Sequence, residues 1–166
     1  MATELELMRE RSALHASLDE QIEAAERRRL NLPATLTLCF PLIQEACRAS
    51  QVWLETPDEK LGDQVYSSEP PISPDLARRA RERARAGAEG GGHEPKAGGR
   101  LHARVLDVAG EDLGTLAAVV GPDAAPPDEV DALLDTAAEL LDNYVAARRR
   151  ARQKQRLLRQ IHEALR

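Results

Sequence analysis

Apolar residues recur at intervals of three, four and seven near the start of the chain: Leu7, Leu14, Leu18, Ile22 and Ala25. No Gly or Pro interrupts them, and Glu, Arg, Asp and Gln fill the other faces, so the spacing predicts an amphipathic helix over 4–29. The apolar stripe is narrow, suiting a seam against one or two helices better than a broad core face. Asn31-Leu32-Pro33 ends this helix, because a residue before proline is pushed out of helical geometry. A second helix is expected over about 34–49, where Leu36, Cys39, Phe40, Ile43, Ala46 and Cys47 form a wide apolar face. Pro41 within it removes a hydrogen bond and predicts a kink or a late start. Gln51 to Glu55 reads as a short strand closed by Thr56-Pro57-Asp58.

The pattern weakens from 57 to 99. Pro57, Gly62, Pro70, Pro71 and Pro74 make 57–75 turn-rich, with room for a short strand around 64–66. Ser73-Pro74-Asp75 is a helix opening, with Ser73 as cap and Pro74 in the first turn, and predicts an Arg- and Ala-rich helix over about 74–86. Residues 87–99 hold six of the ten glycines and read as a flexible loop. Strand signals return at Leu101, Ala103, Val105 and Val108, with His102 and Arg104 on the alternate face. After a turn between Asp107 and Asp112, the apolar run Leu113 to Val120 completes an antiparallel hairpin. Pro126-Pro127-Asp128 then opens a long helix expected to run from 128 to the end, with Leu134, Leu141, Ala137, Tyr144, Ala151, Leu158 and Leu165 at seven-residue steps.

Charge changes this picture at one place. The 166 residues carry 23 Lys and Arg against 28 Asp and Glu, a net charge of −5. The last 21 residues reverse the sign, with Arg148, Arg149, Arg150, Arg152, Lys154, Arg156, Arg159 and Arg166 opposed only by Glu163. The acidic total and the four aromatics, Phe40, Trp53, Tyr66 and Tyr144, argue against a general nucleic-acid binder. Cys39 and Cys47 would lie about 12 Å apart along a helix, too far for a disulfide, and free thiols suit a reducing cytoplasm. No window is long and apolar enough for a signal peptide or a membrane span, so a cytoplasmic location is expected.

Three segments together resemble the GAF domain, a sensory module of bacterial signalling proteins. Leu36 to Glu55 (LTLCFPLIQEACRASQVWLE) is similar to its opening, a core helix leading into a first strand. Leu101 to Val120 (LHARVLDVAGEDLGTLAAVV) is similar to its hairpin, a strand, a short charged turn with glycine, and a strand beginning Leu-Gly-x-Leu. Pro126 to Ala146 (PPDEVDALLDTAAELLDNYVA) is similar to its closing helix. The resemblance implies an α/β fold with a GAF-like antiparallel sheet packed against helices, and long N- and C-terminal helices forming a dimer bundle. It divides the chain into an N-terminal helix (1–30), a GAF-like domain (31–146) and a basic helical extension (147–166). It implies a homodimer, with Leu7, Leu14, Leu18, Leu134, Leu141, Tyr144 and Leu158 at the interface. Trp53, Tyr66, His102 and Arg104 are its candidate ligand-binding residues, for a small molecule of unknown identity. The implied function is relay of a signal through the terminal helices to an output domain or partner, of cyclic-di-GMP or histidine-kinase type. The alternative is a dimerising scaffold that binds no ligand.

The remaining chemistry is sparse. Lys154 to Arg166 (KQRLLRQIHEALR) is similar to the phosphoacceptor helix of sensor histidine kinases, with His162 as acceptor and Glu163 as proton partner. The preferred reading is a polar heptad position on a coiled coil, and a competing placement is the linker into a cyclic-di-GMP phosphodiesterase. The Arg residues at 148–156 offer a site for acidic lipid or nucleic acid, with a solvated linker face, or a partner for the acidic rest of the dimer, the preferred reading. His102 and Arg104 face solvent or a pocket, with solvent the preferred reading. His15 and His93 carry no motif. No P-loop, nucleophile set or metal-ligand spacing stands out, so neither an enzyme nor a metal protein is expected.

Overall fold

The computed structural model describes residues 3–58, 60–68, 71–87 and 89–166. Pro70, one of the turn markers, and Ala88 in the glycine-rich stretch lie outside them. Four helices and five strands follow in the order α1 (Glu4–Arg27), α2 (Leu32–Cys47), β1 (Ala49–Asp58), β2 (Gly62–Ser67), α3 (Pro74–Ala86), β3 (Gly91–Lys96), β4 (Gly99–Val108), β5 (Glu111–Val120) and α4 (Pro127–Ala164). The strands form one sheet in the order β2-β1-β5-β4-β3, with every neighbouring pair antiparallel.

Alternation sorts the strand residues onto two covered faces. Val52, Leu54, Leu116, Ala118 and Val120 join the larger core with residues of α1, α2 and α4. Trp53, Ala103, Ala117 and Val119 point the other way and join Ala80 and Ala84 of α3. α2 and α4 lie on the sheet, and α1 packs on those two helices as an outer layer. α1 runs parallel to α4: Arg11 donates to Thr136 Oγ1 at 2.9 Å near their starts, and Arg148 donates to the Leu30 carbonyl at 3.1 Å near the end of α1.

Local chemistry accounts for most boundaries. Thr3 caps α1 with a reciprocal bond to Glu6, Asn31 caps α2 and Ser73 caps α3. Asn31-Leu32-Pro33 therefore starts the second helix as well as ending the first, since proline in the first turn gives up an N–H that has no helical partner anyway. α2 passes through Pro41, which sits on its exposed side. The β4–β5 turn is made by Ala109 and Gly110, both at positive φ, between the paired Val108 and Glu111. That two-residue geometry matches the twist of the flanking strands.

Two expectations need correction. The described residues of 57–99 supply the end of β1, then β2, α3 and β3. Residues 91–96, expected in a flexible loop, form an edge strand along β4. Glycine is required there by a neighbour, because a Cβ on Gly91 would meet Arg104 Cδ at 2.2 Å. β-propensity is absent from this strand, and the partner's backbone and side chains hold it instead.

Among the described residues no helix is long and apolar enough to cross a membrane.

Candidate functional site: a histidine pair bridged by an aspartate

The register between β3 and β4 places His93 directly opposite His102. Opposite residues share a face, and here the face is the one under α4. Asp131, in the second turn of α4, reaches down between the two rings. Its Oδ2 lies 2.7 Å from His93 Nδ1 and its Oδ1 lies 2.7 Å from His102 Nδ1. The ring centroids are 5.3 Å apart and tilted by 34°. His102 is fully buried, whereas His93 and Asp131 keep about a third of their side chains in contact with solvent (34% and 27%).

The neighbours settle the tautomers. Arg100 Nε donates to His102 Nε2 at 3.3 Å, and a guanidinium has no acceptor, so Nε2 of His102 accepts and its proton sits on Nδ1. Each Nδ1–H then donates to one oxygen of the Asp131 carboxylate. Burial works to raise the Asp131 pKa, but the hydrogen bonds from His102 and His93 outweigh it, and the net shift is downward. Arg100 continues the network, donating through Nη2 to the Ala125 carbonyl in the β5–α4 loop at 2.6 Å.

A second pair sits one step further along. Arg104 Nη2 lies 2.7 Å from Asp135 Oδ1. Two residues advance a strand by about 6.6 Å and four residues advance a helix by about 6 Å, so His102 and Arg104 on β4 meet Asp131 and Asp135 on α4 in register. Farther along α4, Arg149 pairs with Glu111 at 2.8 Å and Arg152 with Asp58 at 3.7 Å. The helix is thus clipped to the sheet by polar contacts from its second turn to the edge of the core.

The four candidate ligand residues do not converge. Trp53 is fully buried on the opposite face, clustered with Ala80 and Ala84 of α3. Its indole N–H finds no hydrogen-bond partner among the described residues. Tyr66 lies on β2, three strands from β4, packed at the margin of the main core. Only His102 and Arg104 belong to one site, where α4 covers them: His102 is fully buried and Arg104 is half-buried against Asp135. Beneath α3 the space is filled by Trp53 and small side chains, and Arg81–Glu55 (2.8 Å), Arg85–Asp112 (2.6 Å) and Arg79–Glu94 (2.9 Å) tie that helix down. The Arg-rich helix α3 thus lies over the sheet and closes on a packed interior.

The expected interface residues are also placed differently. Leu14, Leu18, Leu134, Leu141 and Tyr144 are buried in the core of the single chain, and Leu7 is packed at its margin. They present no surface to a second copy in this arrangement. Leu158 is exposed on the last turns of α4, together with Leu157, Ile161 and Leu165. His162 and Glu163 lie on the same exposed segment.

His93 and Asp131 were not legible as functional residues. They are 38 residues apart, one in a glycine-rich stretch and one in a helix rich in acidic residues. The available signal was the match of His-x-Arg on a strand to Asp-x-x-x-Asp on the following helix. Sequence spacing showed no ligand pattern, yet the fold gathers one donor each from His93, His102 and Asp131 within 4.8 Å of one another. Among the described residues this is the group of His, Cys, Asp and Glu atoms close enough to share one cation. Compared with protein-family models and with curated proteins, the chain matches none.

Proposed function

We propose that the chain is a GAF-like regulatory module in which α4 carries a change at the sheet to a partner bound by its basic end. The observation that carries this reading is the continuity of α4. Its second turn supplies Asp131 to the histidine pair, and its last turns stand free of the core with Leu157, Leu158, Ile161 and Leu165 exposed among arginines. Roughly 50 Å of unbroken helix separates the two ends. A helix of this kind moves as a body, so a shift of its first turns over the sheet reappears at the tail. The three segments of the GAF resemblance form a helix leading into a strand, a hairpin and a long helix, which supports this reading.

In this reading the exposed strip Leu158, Ile161, Leu165 pairs with its counterpart in a second copy, and the arginines flank the seam. Light-scattering mass of the full chain tests it. A dimer that becomes a monomer in the double variant Leu158→Glu, Ile161→Glu supports the reading. A monomeric full chain overturns the dimeric relay.

The scaffold reading has its own supporting observation. The face of the sheet beneath α3, where a lid helix would close over a ligand, is filled by Trp53, Ala80 and Ala84. A module with that face closed takes its input elsewhere or takes none.

A further inference from the structure

We propose that His93, His102 and Asp131 bind a divalent first-row transition cation of the zinc class. The binding claim stands on the site alone; its regulatory consequence rests on the α4 relay proposed above. Two imidazoles and a carboxylate are the mixed nitrogen–oxygen set that such cations prefer, and that Mg²⁺ and Ca²⁺ do not. The three donors come from β3, β4 and α4, and their mutual distances stay within 4.8 Å. A cation held by bonds of roughly 2.0–2.2 Å sets its donors about 3.4 Å apart in a tetrahedral shell, so the two 2.7 Å imidazole–carboxylate pairs open while more widely spaced donors close. The half-exposed His93 and Asp131 leave a route for the ion and room for water to complete its shell, while the buried His102 forms the floor.

Binding exchanges one set of bonds for another and turns the net charge of the three-ligand site from −1 to +1. In the metal-free arrangement each Nδ1 carries a proton given to Asp131. A cation takes the Nδ1 lone pairs, so each ring's proton moves to Nε2 by exchange with water, and no proton is lost overall. For His102 that change has a consequence. Its Nε2 becomes a donor and can no longer accept from Arg100 Nε, which sits 3.3 Å away. Arg100 must turn aside, and Arg100 also holds the Ala125 carbonyl in the loop that leads into α4. Cation binding therefore shifts Asp131 relative to the two rings and loosens the contact just before the same helix.

The test uses the full chain, stripped with chelator and titrated with Zn²⁺ by calorimetry and with Co²⁺ by visible absorption. One equivalent should bind, with cobalt bands of a nitrogen–oxygen site. His93→Ala and Asp131→Asn should each weaken binding by more than about 100-fold, since losing a ligand costs more than losing an outer partner. Arg100→Ala should tighten it several-fold, because the competing donor and its charge are gone; a role of these residues in packing alone predicts no such gain. His15→Ala and His162→Ala should bind as the parent does. Absence of a one-equivalent site overturns the proposal. So does binding that survives His93→Ala or that is lost in the His15 or His162 variants. A fluorophore on Gln160→Cys, in a chain whose two native thiols are buried, reports on the tail in the same titration. Full-strength binding with a silent label upholds the cation site and overturns the relay.

Discussion

The phenol of Tyr144 and the hydroxyl of Thr35 lie 2.8 Å apart in the buried interface between α4 and α2. Thr35 spends its own proton on the Asn31 carbonyl at 2.9 Å, so Tyr144 is the donor of the pair. Tyr144 in turn accepts from Arg148 at 3.3 Å, and the same guanidinium nitrogen donates to the Leu30 carbonyl. A directed chain thus runs from α4 through Tyr144 and Thr35 to the backbone at the start of α2. It sits where α4 leaves the core, and it fixes the height of α4 against both preceding helices.

Replacing Tyr144 with Phe keeps the ring and removes the middle of this chain. Thr35 keeps its bond to Asn31, while Arg148 loses an acceptor. The expected loss is about 1–2 kcal/mol of unfolding free energy, read from the urea midpoint at unchanged slope. A variant as stable as the parent would show the chain to be idle.

Asp142 sets a pH dependence of opposite sign to most carboxylates. Burial pushes its pKa up from 3.8 to about 6, opposed by the Asn143 backbone and reinforced by Asp107, Glu139 and Asp135. A carboxyl whose pKa is higher in the folded chain stabilises the fold only while protonated. That contribution is complete below its unfolded value and is lost as the pH climbs through about 6. Asp142→Asn should therefore raise the melting temperature at about pH 8 and leave it nearly unchanged at about pH 4. An equal gain at both pH values would remove ionisation as the cause.

Gly114 lies in β5 at φ +133°, and a Cβ there would meet the Glu55 carbonyl oxygen of the neighbouring strand at 1.9 Å. Both backbones are buried, so neither side can yield cheaply. Gly114→Ala should cost at least about 2 kcal/mol, whereas Gly110→Ala, where nothing crowds the added methyl, should cost less. Comparable losses at the two sites would mean that strain in φ outweighs the clash.

Burial pushes the Cys39 thiol up to about 11 and that of Cys47 up to about 12. Neither offers thiolate at neutral pH. A disulfide reagent should leave both unmodified in the folded chain and titrate two thiols once urea unfolds it. Rapid modification under native conditions would mean that α2 opens locally.

What the sequence revealed and what it hid divide along physical lines. Ser73-Pro74-Asp75 located α3 because capping is local, and the Leu113 to Val120 run located β5 because a central strand is apolar on both faces. β3 was hidden because Gly91 is dictated by the closeness of Arg104 and the Ala103 carbonyl and Gly92 by its φ of +155°, which no local window contains. His102 and Arg104 were assigned to solvent because polar alternation ordinarily marks an open face. Here both faces are covered: His102 is buried against Asp131 and Arg104 is half-buried against Asp135. The narrow stripe on α1 was read as a seam between copies. It is a seam within one chain, formed with α2 and α4. Period and width reveal that a stripe is covered without saying by what.

From residue 151 onward every side chain of α4 is exposed. A free peptide of that length would be marginal as a helix, since starting the first turn costs more than each later turn returns. Joined to the core, the segment has its nucleus supplied, and each further residue adds its hydrogen bond at no initiation cost. Its helicity is therefore on loan from the packed part of α4. Amide exchange should slow residue by residue from the terminus toward Tyr144, and the length of rigid rod that the protein extends should shrink as temperature rises. Whatever grips the tail would set that length, so association and helix extension become one equilibrium.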